Sequence, residues 1–153
     1  MRNRSSQITL LSFLVSASAL TAERQRAEVV TANMANAETT RTTEGGPYRR
    51  QLVVFRPQRM PPFPMVLASA WNSFLPSARG VRVGQVISDP APPLVRFQPG
   101  HPDADSKGYV AYPAINPVEE MTDLLGAARA YELNASAVQA AKSMLQESLD
   151  LLR

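Results

Sequence analysis

The chain has 153 residues, enough for one ordinary domain, and its 16 Lys and Arg against 13 Asp and Glu leave a net charge of only +3, too small an excess to point to a partner. It has no cysteine, which excludes disulfides, thiolate metal sites and cysteine nucleophiles. Residues 41–100 hold eight arginines and two acids, net +6, whereas residues 116–153 hold six acids and three bases, net −3.

Eleven of the 13 prolines fall between Pro47 and Pro102, and the other two are Pro113 and Pro117. Proline removes a donor and clashes with the preceding turn, so long helices belong at the two ends and an irregular, β-rich region belongs between them. The chain therefore reads as α+β. Residues 1–40 form an N-terminal amphipathic helix, residues 41–115 an extended connection and small proline-rich β centre with an insertion near 60–78, and residues 116–153 a C-terminal heptad helix.

The N-terminal stretch admits two readings. Arg2 and Arg4, the apolar run Ile8 to Val15 and the small residues Ala17 and Ala19 are features of a cleaved signal peptide. The run is too short for a spanning helix, which needs about 20 apolar residues. An amphipathic helix is favoured, because helical composition continues without a break through ERQRAEVVTANMANA. Ile8, Leu11, Val15, Ala19, Ala22, Val30, Met34 and Ala37 then lie near one face, which Arg26 interrupts. At its end Asn33 and Asn36 sit three apart, just before TTRTTEGGP. Asparagine tolerates the left-handed conformation of helix ends and can donate to free carbonyls, so both fit a C-terminal cap. The sharper alternative has them holding the helix exit against an adjacent terminal helix.

Gly45-Gly46-Pro47 marks a turn, followed by a strand over Gln51 to Phe55. A second strand fits Gly80 to Ile87, with Val81, Val83 and Val86 on a half-buried face, and Leu94 to Phe97 and Gly108 to Tyr112 add two more. The insertion carries the single tryptophan, Trp71, and suggests a helical turn near Leu67 to Phe74. The arginines of this region lie among prolines and apolar residues, without the lysine run or aromatic platform that single strands require, so no nucleic acid is expected.

Catalytic constellations are not found. His101 is the sole histidine and has no second imidazole or thiolate to share a metal. Asp103 to Gly108 begins like a calcium loop, but Lys107 takes position five and Ala114 stands where a bidentate glutamate is required, so it reads as a turn. Glu119 and Glu120 are adjacent and diverge on a helix. No catalytic residue, metal, cofactor or small-molecule substrate is expected.

The C-terminal helix is the clearest element. Asn116 suits the N-cap, Pro117 the first helical position, and Glu119, Glu120 and Asp123 favour the positive end of the helix dipole. Met121, Leu124, Ala128, Tyr131, Ala135, Val138, Leu145, Leu149 and Leu152 recur in alternating steps of three and four, a heptad seam missed only at Lys142. So long a stripe exceeds what a domain of this size covers, which predicts burial against other chains and largely disordered ends until neighbours arrive.

SASALTAERQRAEVVTANMANAETTRTTEGGPYRR, with its Asn33, Met34, Ala35, Asn36, Ala37 core, resembles the N-terminal region of bacterial flagellar basal-body rod proteins. PGHPDADSKGYVAYPAINPVEEMTDLLGAARAYELNASAVQAAKSML is similar to the proximal-rod members of that family. The resemblance covers residues 16–56 and 81–153. It implies a structural subunit of the periplasmic rod, exported through the flagellum's own type III apparatus without a cleaved signal peptide. Its terminal helices would form a coiled-coil layer that builds the drive shaft and lines the axial export channel. The implied partners are other rod proteins, copies of itself, the export apparatus and the membrane-ring junction. On that reading Asn33, Asn36 and the seam from Met121 to Leu149 form the assembly interface. The alternative is a secreted or envelope-anchored coiled-coil adaptor with a cleaved signal peptide.

Overall fold

The computed structural model describes residues 2–58 and 80–150. The expectations for the insertion, including Trp71, and for Leu152 lie outside the described residues, as does the side chain of Ile8. The chain is α+β, in the order α1 (Arg2–Ala35), β1 (Gln51–Pro57), β2 (Val81–Ser88), β3 (Leu94–Phe97), β4 (Tyr109–Tyr112) and α2 (Pro117–Asp150). No helix among the described residues is long and apolar enough to cross a membrane.

Local chemistry sets the boundaries of these elements. Helix α1 ends where the Asn36 side-chain amide donates to the Ala32 carbonyl at 2.9 Å and its backbone N–H reaches the same oxygen at 3.1 Å, satisfying one of the free C-terminal acceptors. Thr39 then donates to Asn36 Oδ1 at 3.1 Å and fixes the exit. Gly45 and Gly46 adopt φ of 88° and 76°, and Thr42 N–H meets the Gly46 carbonyl at 2.9 Å, closing the expected turn. Helix α2 begins as its sequence indicates: Asn116 Oδ1 accepts the Val118 N–H at 3.0 Å with Pro117 between them.

Strands β1 and β2 form one two-stranded sheet and β3 and β4 another. The Gln58 N–H bonds to the Gly80 carbonyl at 2.8 Å and the Asp89 N–H to the Arg50 carbonyl at 2.7 Å, so β1 and β2 run antiparallel. The expected half-buried face of β2 holds for Val81 and Val83, whereas Val86 is exposed. In the antiparallel β3–β4 pair, Leu94 faces Tyr112, Val95 faces Ala111, Arg96 faces Val110 and Phe97 faces Tyr109.

By its contacts the chain divides into two units, Met1–Arg24 with Phe55–Val83 and Arg129–Arg153, and Gln25–Val54 with Gly84–Ala128. In the first, the Ser18 hydroxyl donates to the Val15 carbonyl at 2.6 Å and accepts the Val81 N–H at 3.0 Å. A Cβ on Gly80 would stand 2.8 Å from Ser18 Cβ, so only glycine permits this approach. Among the described residues of this unit, Ala22 and Ala141 are the buried apolar side chains, both small.

The second unit has a core of Val30, Val110, Tyr112, Pro113, Ile115 and Ala127. Burying a side chain such as Val110 contributes roughly 1.5–3 kcal/mol. Arg96 lies over the Tyr112 ring with its guanidinium carbon 4.7 Å from the centroid, covering the ring from the solvent side. Gly108 closes the loop between β3 and β4 at φ 80°, where an added Cβ would lie 2.9 Å from the Phe97 ring and 3.1 Å from Pro99 Cβ. Gly108→Ala therefore combines left-handed strain with a clash, and a loss of about 2 kcal/mol is expected. Urea unfolding of the purified chain measures it, and an unchanged midpoint would contradict the account.

Candidate functional site

The chemistry of the second unit converges where the end of α1, the start of β1 and the start of α2 meet. Asn33 stands on the last turn of α1 and is 1% exposed, while Glu120 stands on the first turn of α2 and is 0% exposed. A buried carboxylate costs several kcal/mol unless it is paired and hydrogen-bonded. Glu120 is both: Oε1 accepts from Arg50 Nε at 2.5 Å and Oε2 from Asn33 Nδ2 at 3.0 Å.

The Asn33 amide is fully used. Its Oδ1 accepts the Gln51 N–H at 2.8 Å and the Tyr48 hydroxyl at 3.2 Å, while Nδ2 also donates to the Gln51 carbonyl at 2.9 Å. The two bonds to Gln51 are those a residue on a neighbouring antiparallel strand would make, so the side chain stands in for a strand at the first residue of β1. Aspartate would lose both donors, and glutamine adds a methylene for which the 2.8–3.0 Å contacts leave no length.

A second layer of charge extends the junction. Arg50 Nη2 lies 3.5 Å from Asp123 Oδ2, and Arg26 Nη2 lies 3.3 Å from Asp123 Oδ1. Two guanidinium groups thus face two carboxylates. Arg26, the cation that breaks the apolar face of α1 in the sequence, is directed at Asp123 one turn beyond Glu120. Burial, and then the Glu120 carboxylate, hold the Tyr48 phenol above its ordinary value of 10.0.

Two positions singled out in the sequence have separate tasks. Asn36 caps α1. Asn33 does no capping, and its amide is directed across its own chain to residues 18 and 87 positions away. Glu120, Arg50 and Asp123 were not recognised as a cluster in the sequence, where Glu119, Glu120 and Asp123 read only as complements to the helix dipole. The available signal was the spacing of Glu120, Ala127, Asn134 and Ala141, a seven-residue repeat on one face.

That spacing also fixes which side of α2 turns inward. Glu120, Ala127 and Ala141 are buried, each one residue ahead of Met121, Ala128 and Lys142 of the expected seam. Leu124, Ala135, Val138 and Leu145 are half-buried, whereas Met121, Ala128, Tyr131 and Leu149 are exposed on the single chain. The helix is rotated from its apolar seam because Asn33 and Arg50 satisfy Glu120 inside.

Asp103 accepts from Thr40 Oγ1 at 2.8 Å and pairs with Arg41 at 3.4 Å, and Asp105 Oδ1 accepts the N–H groups of Lys107 and Tyr109, each at 2.8 Å. The loop that imitates a calcium site spends these carboxylates on its own backbone and neighbours. His101 Nδ1 accepts the Asp103 N–H at 3.1 Å. A cleft of about 370 Å³ beside this loop, lined by Thr40, Arg41, Pro47, Pro102, Asp103 and Ala111, has its polar side chains paired with one another. Among the described residues no three His, Asp or Glu side chains converge as a metal would require.

Two measurements test the junction. Glu120→Ala removes the nearer of Arg50's two carboxylates and an acceptor of Asn33, and a loss of about 3 kcal/mol is expected, with Asn33→Ala and the double variant showing strong non-additivity in a denaturation cycle. Additive losses would break the assignment. For Tyr48, the raised folded-state pKa means the folded chain holds the phenolic proton more tightly than the unfolded one. Its contribution is complete below the unfolded value near 10.0 and is lost as pH rises through the folded value. The alkaline decline in unfolding free energy should be shallower in Tyr48→Phe than in the parent.

Comparison with known proteins places both ends of the chain. Residues 13–41 match the flagella basal body rod protein family, and residues 106–151 match the flagellar basal body rod FlgEFG protein C-terminal family. The chain is 39% identical over 150 residues to the flagellar basal-body rod protein FlgC of Borreliella burgdorferi, covering 91% of this chain and 94% of that protein. It is 38% identical to the FlgC of Bacillus subtilis, over 90% and 93%, and 34% identical to that of Salmonella typhimurium, over 91% and 94%.

Proposed function

We propose, for a chain that belongs to the FlgC family of flagellar basal-body rod proteins and is a structural subunit of that rod, that assembly proceeds through its terminal helices. The observation that carries this reading is the exterior of α2. Met121, Tyr131, Leu133, Met144 and Leu149 are all exposed on one 34-residue helix about 51 Å long. A helix apolar on more than its inward face is one that neighbours cover.

On this reading Met121, Ala128, Tyr131 and Leu149 meet adjacent helices directly, and Leu124, Ala135, Val138 and Leu145 border the contact. Asn33 serves it by holding the start of α2 through Glu120, and Asn36 by directing the chain out of α1. The assembled helices form a coiled-coil layer around the axial export channel. The partners are other rod proteins, copies of this chain, the export apparatus and the membrane-ring junction. The role is mechanical and needs no cofactor, catalysis, nucleic acid or small-molecule substrate.

A periplasmic rod position, reached by the flagellum's own export route without removal of the N-terminus, is part of the proposal. Its support is that Ala17, Ser18 and Ala19, the small residues of the alternative cleavage site, lie within α1, and the Ser18 hydroxyl holds Val81. Cleavage there would discard a working contact. The adaptor alternative has no comparable support.

Tyr131→Asp and Leu149→Asp test the interface without disturbing the subunit. Both sites are exposed, so unfolding free energies should stay within about 0.5 kcal/mol of the parent. A carboxylate buried at a subunit contact costs several kcal/mol, enough to prevent incorporation. Basal bodies purified from the variant strains should lack the protein, and swarming should fail. Normal rods containing either variant would refute this placement of the interface.

A further inference from the structure

We propose that Arg56 and Arg82 form a carboxylate clamp, and that in the rod this clamp receives Glu147 and Asp150 of a second copy of this chain. The proposal rests on the reading of the chain as a rod subunit and adds a polar contact away from the helical seam. The Gln58 N–H bond to the Gly80 carbonyl sets the register at this end of the β1–β2 sheet. Two residues further in, Arg56 lies opposite Arg82, and the Val81 N–H between these positions turns away from β1 to Ser18. Both arginines are exposed, and among the described residues neither meets a carboxylate or another hydrogen-bond partner. Opposed residues of an antiparallel pair hold their Cβ atoms about 4.5–5.5 Å apart on one face, where like charges are destabilising. Two guanidinium groups so placed are relieved by two carboxylates, each matching the fork of one guanidinium.

The end of α2 carries the opposite excess. Glu147 and Asp150 are exposed and stand three residues apart on the helix, with Cβ atoms about 5–6 Å from each other, the spacing of the arginine pair. They lie where the helix dipole disfavours anions, and the last turn of α2 holds no base. The nearest described base on the helix is Lys142, five residues before Glu147. The other acids of α2 are answered within the chain: Glu119 accepts from Asn116 at 3.3 Å, Glu120 and Asp123 pair with arginines, and Glu132 stands one turn from Arg129.

The two pairs form no ion pair with each other in the single chain, yet they match in sign and in spacing. Clamp against clamp would gather four cations and helix end against helix end four anions, so each copy offers its acids to the clamp of a neighbour. A contact between different patches of identical chains continues from copy to copy around a ring or along a helix. With about 3.6 residues per turn, Glu147 and Asp150 point away from the side of α2 that carries Leu145 and Leu149, and the seam stays free.

Charge reversal in separate chains tests the contact. One variant carries Arg56→Glu with Arg82→Glu, the other Glu147→Arg with Asp150→Arg, and each is produced alone or with the other in cells building flagella from no further copy. Either variant alone sets like charges together at every contact and should be missing from purified basal bodies. The mixture restores attraction wherever unlike variants meet, so both should return to the basal bodies and swarming with them. Unfolding of the purified variants shows whether both fold. Should one fail, chains carrying Arg82→Cys and chains carrying Glu147→Cys replace them; the protein has no cysteine of its own, and oxidised basal bodies should hold a band at twice the chain mass in the mixture and in neither variant alone. If the unaltered chain is missing from basal bodies, the rod reading fails and the contact falls with it. If it is present and a charge variant is incorporated alone, or the charge mixture stays excluded, or the cysteine mixture stays monomeric, the contact is wrong while the rod reading stands.

Discussion

A carboxylate with no exposure to solvent is the constraint on which this fold turns. Glu120 can remain inside only if a cation and a donor reach it from other segments, and those are Arg50 at the start of β1 and Asn33 at the end of α1. Satisfying Glu120 therefore positions three elements at once. Relative to a well-packed apolar residue, such a pair contributes little net stability, because desolvation offsets most of its attraction. Its effect is to specify one arrangement: any slip of α1 along α2 would leave a buried charge unpaired.

The helix ends and strands were legible in the sequence because their causes are local. Asn116-Pro117 opens α2, Asn36 closes α1, and runs such as Leu94 to Phe97 form strands within a residue or two of where composition places them. The junction was not legible, since Asn33 meets Glu120 across 87 residues and no local pattern records that meeting. The seam was expected to meet other chains, and which face of α2 turns inward has no local signal for the same reason. Hydrophobic periodicity assigns a glutamate to the outside, and only its distant partners move it in, carrying the buried face one residue ahead of the seam. Arg26, an apparent flaw in α1, is explained by Asp123 in the same way.

Function was legible through resemblance and not through chemistry, and the structure makes the reason plain. Asp103, Asp105 and His101 near the central loops are tied into turns and an ion pair. A subunit whose work is to be held by others displays that work as uncovered apolar surface, a feature without a short motif. Tyr131 and Leu149 on α2 and Val95 and Phe97 on the β3–β4 hairpin are exposed apolar side chains of the single chain.

The strand-like grip of Asn33 on Gln51 has a mechanical consequence. Apolar helix contacts are smooth, and small buried side chains such as Ala127 oppose axial sliding weakly. A side-chain amide with all four bonds made, set beside a buried ion pair, acts as a key in a slot: sliding by even part of a helical turn breaks several directional bonds together. Should a rod subunit be loaded in shear, this key would resist it where the end of α1 meets the start of α2.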